Sequence, residues 1–401
     1  MTQRPSLFRA HHAGLFTLAL LAGCASGPHH GKAPADTPQQ VTQGKGYLSE
    51  EQHSLRTTPV SWLGTVQTGG RNFDLIISSP VRPGRYPLIV YLPGLGEPRT
   101  AGDGWRNAWA QAGYVVASVQ LLAEDGQAWQ SPAARHGDFR PLVRERFAAS
   151  AMETRQQALH NLLEVMKQHA GDPTLANADF DHIVLAGYDL GAYTALVGAG
   201  EKFRNGPDTP PIPGLAGVIA LSPYADFSGP GFESRYGAIR VPVLSVTGPG
   251  DTDMYGAVSS VSARTAPFQH MPPGGKYLLS LDDASHEQLS GSPLRQESSG
   301  DGDHNAQDKN GEGNRNDRGN RRSRGGSGGM GRESGGNGDY GDMAGRNGGN
   351  RSLGNGQVQP VITAITTAFL DALVRQDDIA QEWLRRDARR WLREAGSLTV
   401  R

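Results

Sequence analysis

The chain has 401 residues, a net charge of -1 and 37% hydrophobic residues, enough for one large α/β domain with extensions and without need of a second core. Its near-neutral balance lacks the excess of Lys and Arg that nucleic-acid binding usually requires, so no nucleic-acid partner is expected. Its one cysteine excludes a disulfide within the chain.

In chain order, residues 1–23 read as a signal peptide. Arg4 and Arg9 precede a short apolar run from Ala13 to Leu21, too short to span a bilayer as a mature helix. The run ends in Leu21-Ala22-Gly23-Cys24, which resembles the lipobox of bacterial lipoproteins. That resemblance implies that Cys24 is diacylated and becomes the mature N-terminus, anchored to a membrane by several acyl chains. With Ala25 next, it further implies the outer membrane, on the periplasmic side. From Cys24 to residue 58 the chain is rich in Pro, Gly, Gln and His without apolar periodicity, a flexible tether. His29 and His30 lie in it as solvated side chains, since a metal site would need further ligands.

Residues 59–290 alternate β-rich apolar runs with helical patterns, which predicts a mainly parallel sheet flanked by helices. Expected strands are Phe73 to Ile77, Pro87 to Leu92, Tyr114 to Val119, Ile183 to Ala186, Gly217 to Leu221, Val241 to Val246 and Tyr277 to Leu281. One long helix is expected from about Leu142 to Gln168. Residues 291–356 hold 20 of the 54 glycines and no Val, Ile, Leu, Phe or Trp between Leu294 and Leu353, so they are expected to be a disordered insert. Helical periodicity resumes over 357–401, with Ile365, Phe369, Leu373 and Trp383, as C-terminal helices completing the core.

The segment Ile183-Val184-Leu185-Ala186-Gly187-Tyr188-Asp189-Leu190-Gly191 runs a strand into Gly-x-Asp-x-Gly and then into small residues that start a helix. This is the layout of a nucleophile elbow, in which flanking glycines permit a sharp turn that exposes the central side chain; an aspartate that merely caps a helix is the other reading. Tyr91-Leu92-Pro93-Gly94-Leu95-Gly96 follows an early strand, where the amide of Leu95 joins that of Leu190 as a candidate oxyanion hole. Thr247-Gly248-Pro249-Gly250-Asp251-Thr252-Asp253 offers an acid after a later strand, with Asp251 favoured over Asp253 and both left open. His286 follows the last clear strand, completing the order nucleophile, acid, histidine.

With these residues the chain resembles the α/β-hydrolase superfamily, in particular the predicted dienelactone hydrolases, platelet-activating-factor acetylhydrolases and bacterial polyester hydrolases. The resemblance covers roughly Trp62 to Ser290 and Val361 to Leu392, with Thr367 to Asp371 similar to the family's closing helix. It implies the α/β-hydrolase fold, with Asp189 as nucleophile, Asp251 as orienting acid and His286 as base. Those relatives carry Ser or Cys at the elbow; Asp there is typical of haloalkane dehalogenases and epoxide hydrolases, whose usual Trp and His-Gly-x-Pro are here Leu190 and Pro93-Gly94-Leu95-Gly96.

A carboxylate needs no base to act at neutral pH and suits displacement at an alkyl carbon better than attack on an acyl group. The expected function is therefore an envelope-anchored hydrolase of a small ester, lactone or alkyl substrate through Asp189, His286 and Asp251. Water activation by His286 and Asp251 with Asp189 purely electrostatic is a second reading, and a catalytically inactive binding module a third. The segment Leu121 to Phe147 lies where this fold often builds a cap, or is a plain surface connection. Trp105 and Trp109 fit either a pocket wall or the core. No metal-ligand cluster, phosphate loop or dinucleotide fingerprint occurs, so no cofactor is expected.

Overall fold

The computed structural model describes residues 46–64, 70–203, 206, 211–225, 227, 231–253, 255–258, 260–292, 355–393 and 395–401. The expected signal peptide, Cys24, the expected tether before residue 46 and the expected insert over 293–354 lie outside the described residues.

Nine strands form one mixed, mostly parallel sheet: β1 (Leu55–Leu63), β2 (Asn72–Pro80), β3 (Tyr86–Leu92), β4 (Val115–Val119), β5 (Ala178–Tyr188), β6 (Leu215–Leu221), β7 (Val243–Thr247), β8 (Lys276–Leu281) and β9 (Gly396–Val400). Their order is β1-β2-β4-β3-β5-β6-β7-β8-β9. β1, β2 and β9 join antiparallel at the two ends, and β4 to β8 with β3 run parallel between them. The helices used below are α1 (Asp103–Gln111), α2 (Ala149–Gln168), α3 (Leu190–Gly198) and α4 (Asn355–Leu373).

β3 explains the layering. Every residue from Tyr86 to Leu92 is buried, as expected of a parallel strand covered on both faces. With side chains alternating between faces, Leu88, Val90 and Leu92 pack with Leu159, Leu162 and Met166 of α2. Ile89 and Tyr91 pack with Trp105 and Trp109 of α1 and with Ile365 and Phe369 of α4. The two tryptophans therefore belong to the core, and Trp109 Nε1 donates to Thr366 Oγ1 at 3.0 Å.

Three expectations are corrected. The fold begins before residue 59: Tyr47 is buried and its hydroxyl donates to Asp371 Oδ2 at 2.9 Å. β1 already starts at Leu55, its Thr57-Thr58-Pro59 resembling a tether because an edge strand tolerates polar residues and Pro. The helix expected over Leu142 to Gln168 is two, Phe139–Arg146 and α2, divided where Ala148 turns extended at φ −66°, ψ 155°. Arg155 of α2 caps the break by donating to the Arg146 carbonyl at 2.6 Å. Finally, the C-terminus does not end in helices: β9 closes the sheet antiparallel to β8, too short for periodicity to reveal.

Candidate active site

Asp189 stands at the carboxyl end of β5 with φ 50° and ψ −111°, a positive φ that costs a non-glycine residue roughly 1–3 kcal/mol. The glycines on either side make the turn possible. A Cβ on Gly187 would fall 2.3 Å from the Gly191 carbonyl carbon, and one on Gly191 would fall 1.9 Å from the Leu92 oxygen. Strand, turn and helix therefore approach more closely than any side chain allows. The Asp189 side chain makes no helix-capping hydrogen bond; the adjacent Leu190 amide is the one backbone group that its carboxylate meets among the described residues.

The other two sequence candidates meet each other. His286 Nδ1 lies 2.8 Å from Asp251 Oδ1, and Asp251 is wholly buried while the His286 side chain is 21% exposed. Asp253 instead accepts from the amides of Tyr255, Ala257 and Val258 and so holds its own loop. Of the two aspartates, Asp251 is the one that meets His286.

Sequence reasoning missed three residues here. Ser222, at positive φ after β6, donates from Oγ to Asp251 Oδ1 at 2.8 Å and lies 2.9 Å from His286 Nδ1. Arg264, wholly buried, reaches Asp251 Oδ1 at 3.3 Å and the Ser222 carbonyl at 3.0 Å. Glu97 closes the loop after β3, where Gly94 N donates to its Oε2 at 2.9 Å. Neither Ser222 nor Arg264 belongs to a local motif, whereas Glu97 ends the Gly-rich loop already singled out.

The electrostatics differ group by group. Burial pushes the Asp189 carboxyl above its usual range, opposed by the charges of His286 and Arg264, assisted by Asp253, and opposed again by the adjacent Leu190 amide. Burial also pushes Asp251 up, but the bond from His286, the charges of Arg264 and His286, and Thr247 together bring it below the ordinary value. Burial raises Glu97 to about 7, with Gly94 opposing, Asp189 adding to the rise, and His286 and Ser292 opposing.

Of the two candidate oxyanion amides, that of Leu190 faces the Asp189 carboxylate. Leu95 is buried in the turn after β3, and its N–H donates to no described residue. The segment Leu121 to Phe147 forms short helices tied down by Asp125, which pairs with Arg155 through two bonds of 2.7 Å. It borders the site loop: the Asp125 carbonyl accepts from Gly96 N at 2.8 Å, and Trp129 lies over Gly96 and against Tyr255 with ring centroids 4.5 Å apart. The chain matches no protein-family model and no curated protein.

Proposed function

We propose that this protein is an α/β-hydrolase-fold enzyme, lipid-anchored through Cys24 in the bacterial envelope, that attacks a small ester, lactone or other alkyl substrate at carbon with the Asp189 carboxylate. One observation carries the reading: a carboxylate held at a strained positive φ at the end of a parallel strand, within electrostatic reach of a histidine that is paired with Asp251. Support for the fold assignment comes from the strand-to-helix elbow, from the acid after β7 and histidine after β8, and from an amide in the loop between β3 and α1. β3 sends its chain to β4 on one side of β5's position in the sheet, so the elbow sits where the strand order reverses, the usual crevice for ligands.

In this mechanism an Asp189 oxygen displaces the leaving group and forms an alkyl ester. The His286 Nδ1–H bond to Asp251 leaves Nε2 as the base, which takes a proton from water as that water attacks the Asp189 carbonyl carbon. The amides of Leu190 and Leu95 receive the negative oxygen that develops on the same carboxyl group. Burial of Asp189 favours the step, because a carboxylate that water no longer stabilises gains more by becoming an uncharged ester.

The test is turnover of a panel of esters, lactones, epoxides and haloalkanes by the purified protein, beside Asp189→Ala and His286→Ala. Activity lost in Asp189→Ala, with an alkyl ester accumulating on Asp189 in His286→Ala, supports the reading. Activity that survives Asp189→Ala rejects it.

A second reading is a non-catalytic binding module. It is favoured by Arg264, whose guanidinium lies 3.4 Å from His286 Nδ1 and, with Ser222 and Asp251, ties the ring into a closed polar corner. Silence across the panel from folded protein would favour it.

A further inference from the structure

We propose that the last helical stretch of the chain, over residues 378–392, carries a second membrane contact: an arginine face that docks on anionic lipid headgroups, beside the point where the chain enters the fold. This goes beyond the hydrolase reading and needs no part of it. It takes from the reading above only the Cys24 anchor, as the reason that a membrane lies within reach.

The stretch runs through Asp378–Glu382, Trp383–Asp387 and Ala388–Leu392. Its inner side is committed to the core, where Ala380, Trp383, Leu384, Ala388 and Leu392 are buried with Ile365 and Phe369 of α4. Its outer side is basic. Arg385, Arg386, Arg389, Arg390 and Arg393 are all exposed, and between the first and last of them the one acid is Asp387, with Glu394 following. This density is local, because the whole chain carries a net charge of -1. Asp377, Asp378 and Glu382 stand at the other end of the stretch, so the charge is polarised along its length.

Part of this charge serves the fold. Glu382 pairs with Arg385 and, at 2.6 Å, with Arg386, and Arg389 Nε donates to the Leu398 carbonyl of β9 at 3.1 Å. Arg390 and Arg393 meet no carboxylate and no carbonyl among the described residues. Cations at a helix C-terminus also favour its dipole, but that effect falls off within one turn. The arginines here run on over about two and a half turns.

Two observations make a membrane the occupant. The first is charge complementarity: a guanidinium fork matches the phosphate of a headgroup, and clustered basic residues are drawn to an anionic bilayer. The second is where the chain enters. Gly46, the first described residue, lies so close to Trp391 that a Cβ there would fall 2.6 Å from its ring, and Trp391 directly follows Arg390. Tyr47 packs on Trp383 with ring centroids 5.6 Å apart, and Leu48 after it is an apolar side chain left 54% exposed. With Cys24 acylated, the 22 residues from Cys24 to Lys45 join the bilayer to this corner of the fold. Even fully extended they span no more than about 80 Å. A contact too weak to recruit free protein then becomes an intramolecular one, and acyl chains supplemented by a basic patch give durable attachment.

The test treats the full-length protein with phenylglyoxal, an arginine-selective reagent, beside phosphatidylglycerol vesicles, phosphatidylcholine vesicles or an RNA duplex, and reads the masses of the peptides that hold Arg390 and Arg393. In the expected result phosphatidylglycerol slows their modification roughly fivefold or more, high salt abolishes the protection, and phosphatidylcholine and RNA give none. The exposed Arg135 and Arg144 react at an unchanged rate throughout. Arg386→Gln, Arg390→Gln and Arg393→Gln together lower the ratio of partition into phosphatidylglycerol over phosphatidylcholine by about 10²-fold, with a melting temperature close to wild type. Taking the ratio cancels what the N-terminus contributes. Equal modification on both kinds of vesicle, protection by RNA and not by phosphatidylglycerol, or a ratio within roughly twofold of wild type in the triple variant overturns the proposal. The acyl mass on Cys24 reads the anchor separately. Acylated protein without protection overturns the arginine face and spares the anchor, whereas protection by phosphatidylglycerol of a protein that carries no acyl group overturns the anchor and spares the face.

Discussion

The Asp251 carboxylate, wholly buried, holds His286 Nδ1 at 2.8 Å while Thr247 donates to its other oxygen at 2.7 Å. Both carboxylate oxygens have donors, which fixes the acid in place and with it the imidazole that it holds. Asp251→Asn keeps the shape but offers an N–H where the ring needs an acceptor. It is expected to slow breakdown of the Asp189 ester by about 10³–10⁴-fold while ester formation continues, so that the covalent adduct accumulates in a mass spectrum. Asp253→Asn, which touches only its own loop amides, should leave breakdown within a few-fold of wild type.

Two carboxyls of the site shift in opposite directions and should appear in stability against pH. Asp251 is depressed in the folded state, so its contribution is present above the unfolded value near 4 and is lost as pH falls through the lower folded value. Glu97 is raised to about 7. Its contribution is full below the ordinary glutamate value and is lost as pH rises through about 7. Glu97→Gln should therefore match wild-type stability near pH 4 and exceed it near pH 8 by about 1–2 kcal/mol, allowing for partial exposure. Denaturant melts at the two pH values measure both effects, and a variant equally stable or less stable at pH 8 would contradict the upward shift of the Glu97 carboxyl.

The segment Leu121 to Phe147 is held by one buried ion pair. Asp125 is fully buried and Arg155 nearly so, and the Asp125 backbone also holds Gly96 of the site loop. Asp125→Asn leaves a buried guanidinium without its countercharge and should cost about 3–5 kcal/mol. Asp125→Leu with Arg155→Met removes both charges and is expected to recover most of that loss. If the double variant is as unstable as the single one, the pair's value lies in shape and not in charge.

The elbow was legible because its requirement is local: the five residues Gly187 to Gly191 contain both close contacts that only glycine permits. Asp251 and His286 were legible through chain order, since each follows a strand whose apolar run is plain. The choice between Asp251 and Asp253 was not, because the two stand two residues apart in one loop and differ only in what buries them. Ser222 and Arg264 reach the site by the register of β6 against β7 and by a side chain from a short helical turn, neither of which leaves a pattern in the chain. Glu97 did leave one, a charged residue ending Pro93-Gly94-Leu95-Gly96-Glu97, but the glycines alone were read. At the two ends of the sheet, β1 and β9 escaped because edge strands carry polar residues on their open side.

The elbow also permits a test of the fold reading that needs no knowledge of the natural substrate. A serine at 189 has the same Cα and Cβ as the aspartate, so the turn held by Gly187 and Gly191 is unchanged. Its hydroxyl would stand before a histidine already oriented by Asp251, with the amides of Leu190 and Leu95 beside it. Unlike a carboxylate, a hydroxyl activated by that base forms a stable acyl ester and not an anhydride. Asp189→Ser is therefore expected to gain hydrolysis of p-nitrophenyl acetate, roughly 10²-fold or more above Asp189→Ala, and to lose the gain when His286→Ala is added. The serine also removes a carboxyl whose ionised form its surroundings disfavour, so the variant should melt no lower than wild type. A folded Asp189→Ser protein that matches Asp189→Ala in ester hydrolysis would mean that His286 Nε2 does not reach the elbow, and the nucleophile reading of Asp189 would lose the base on which its second step depends.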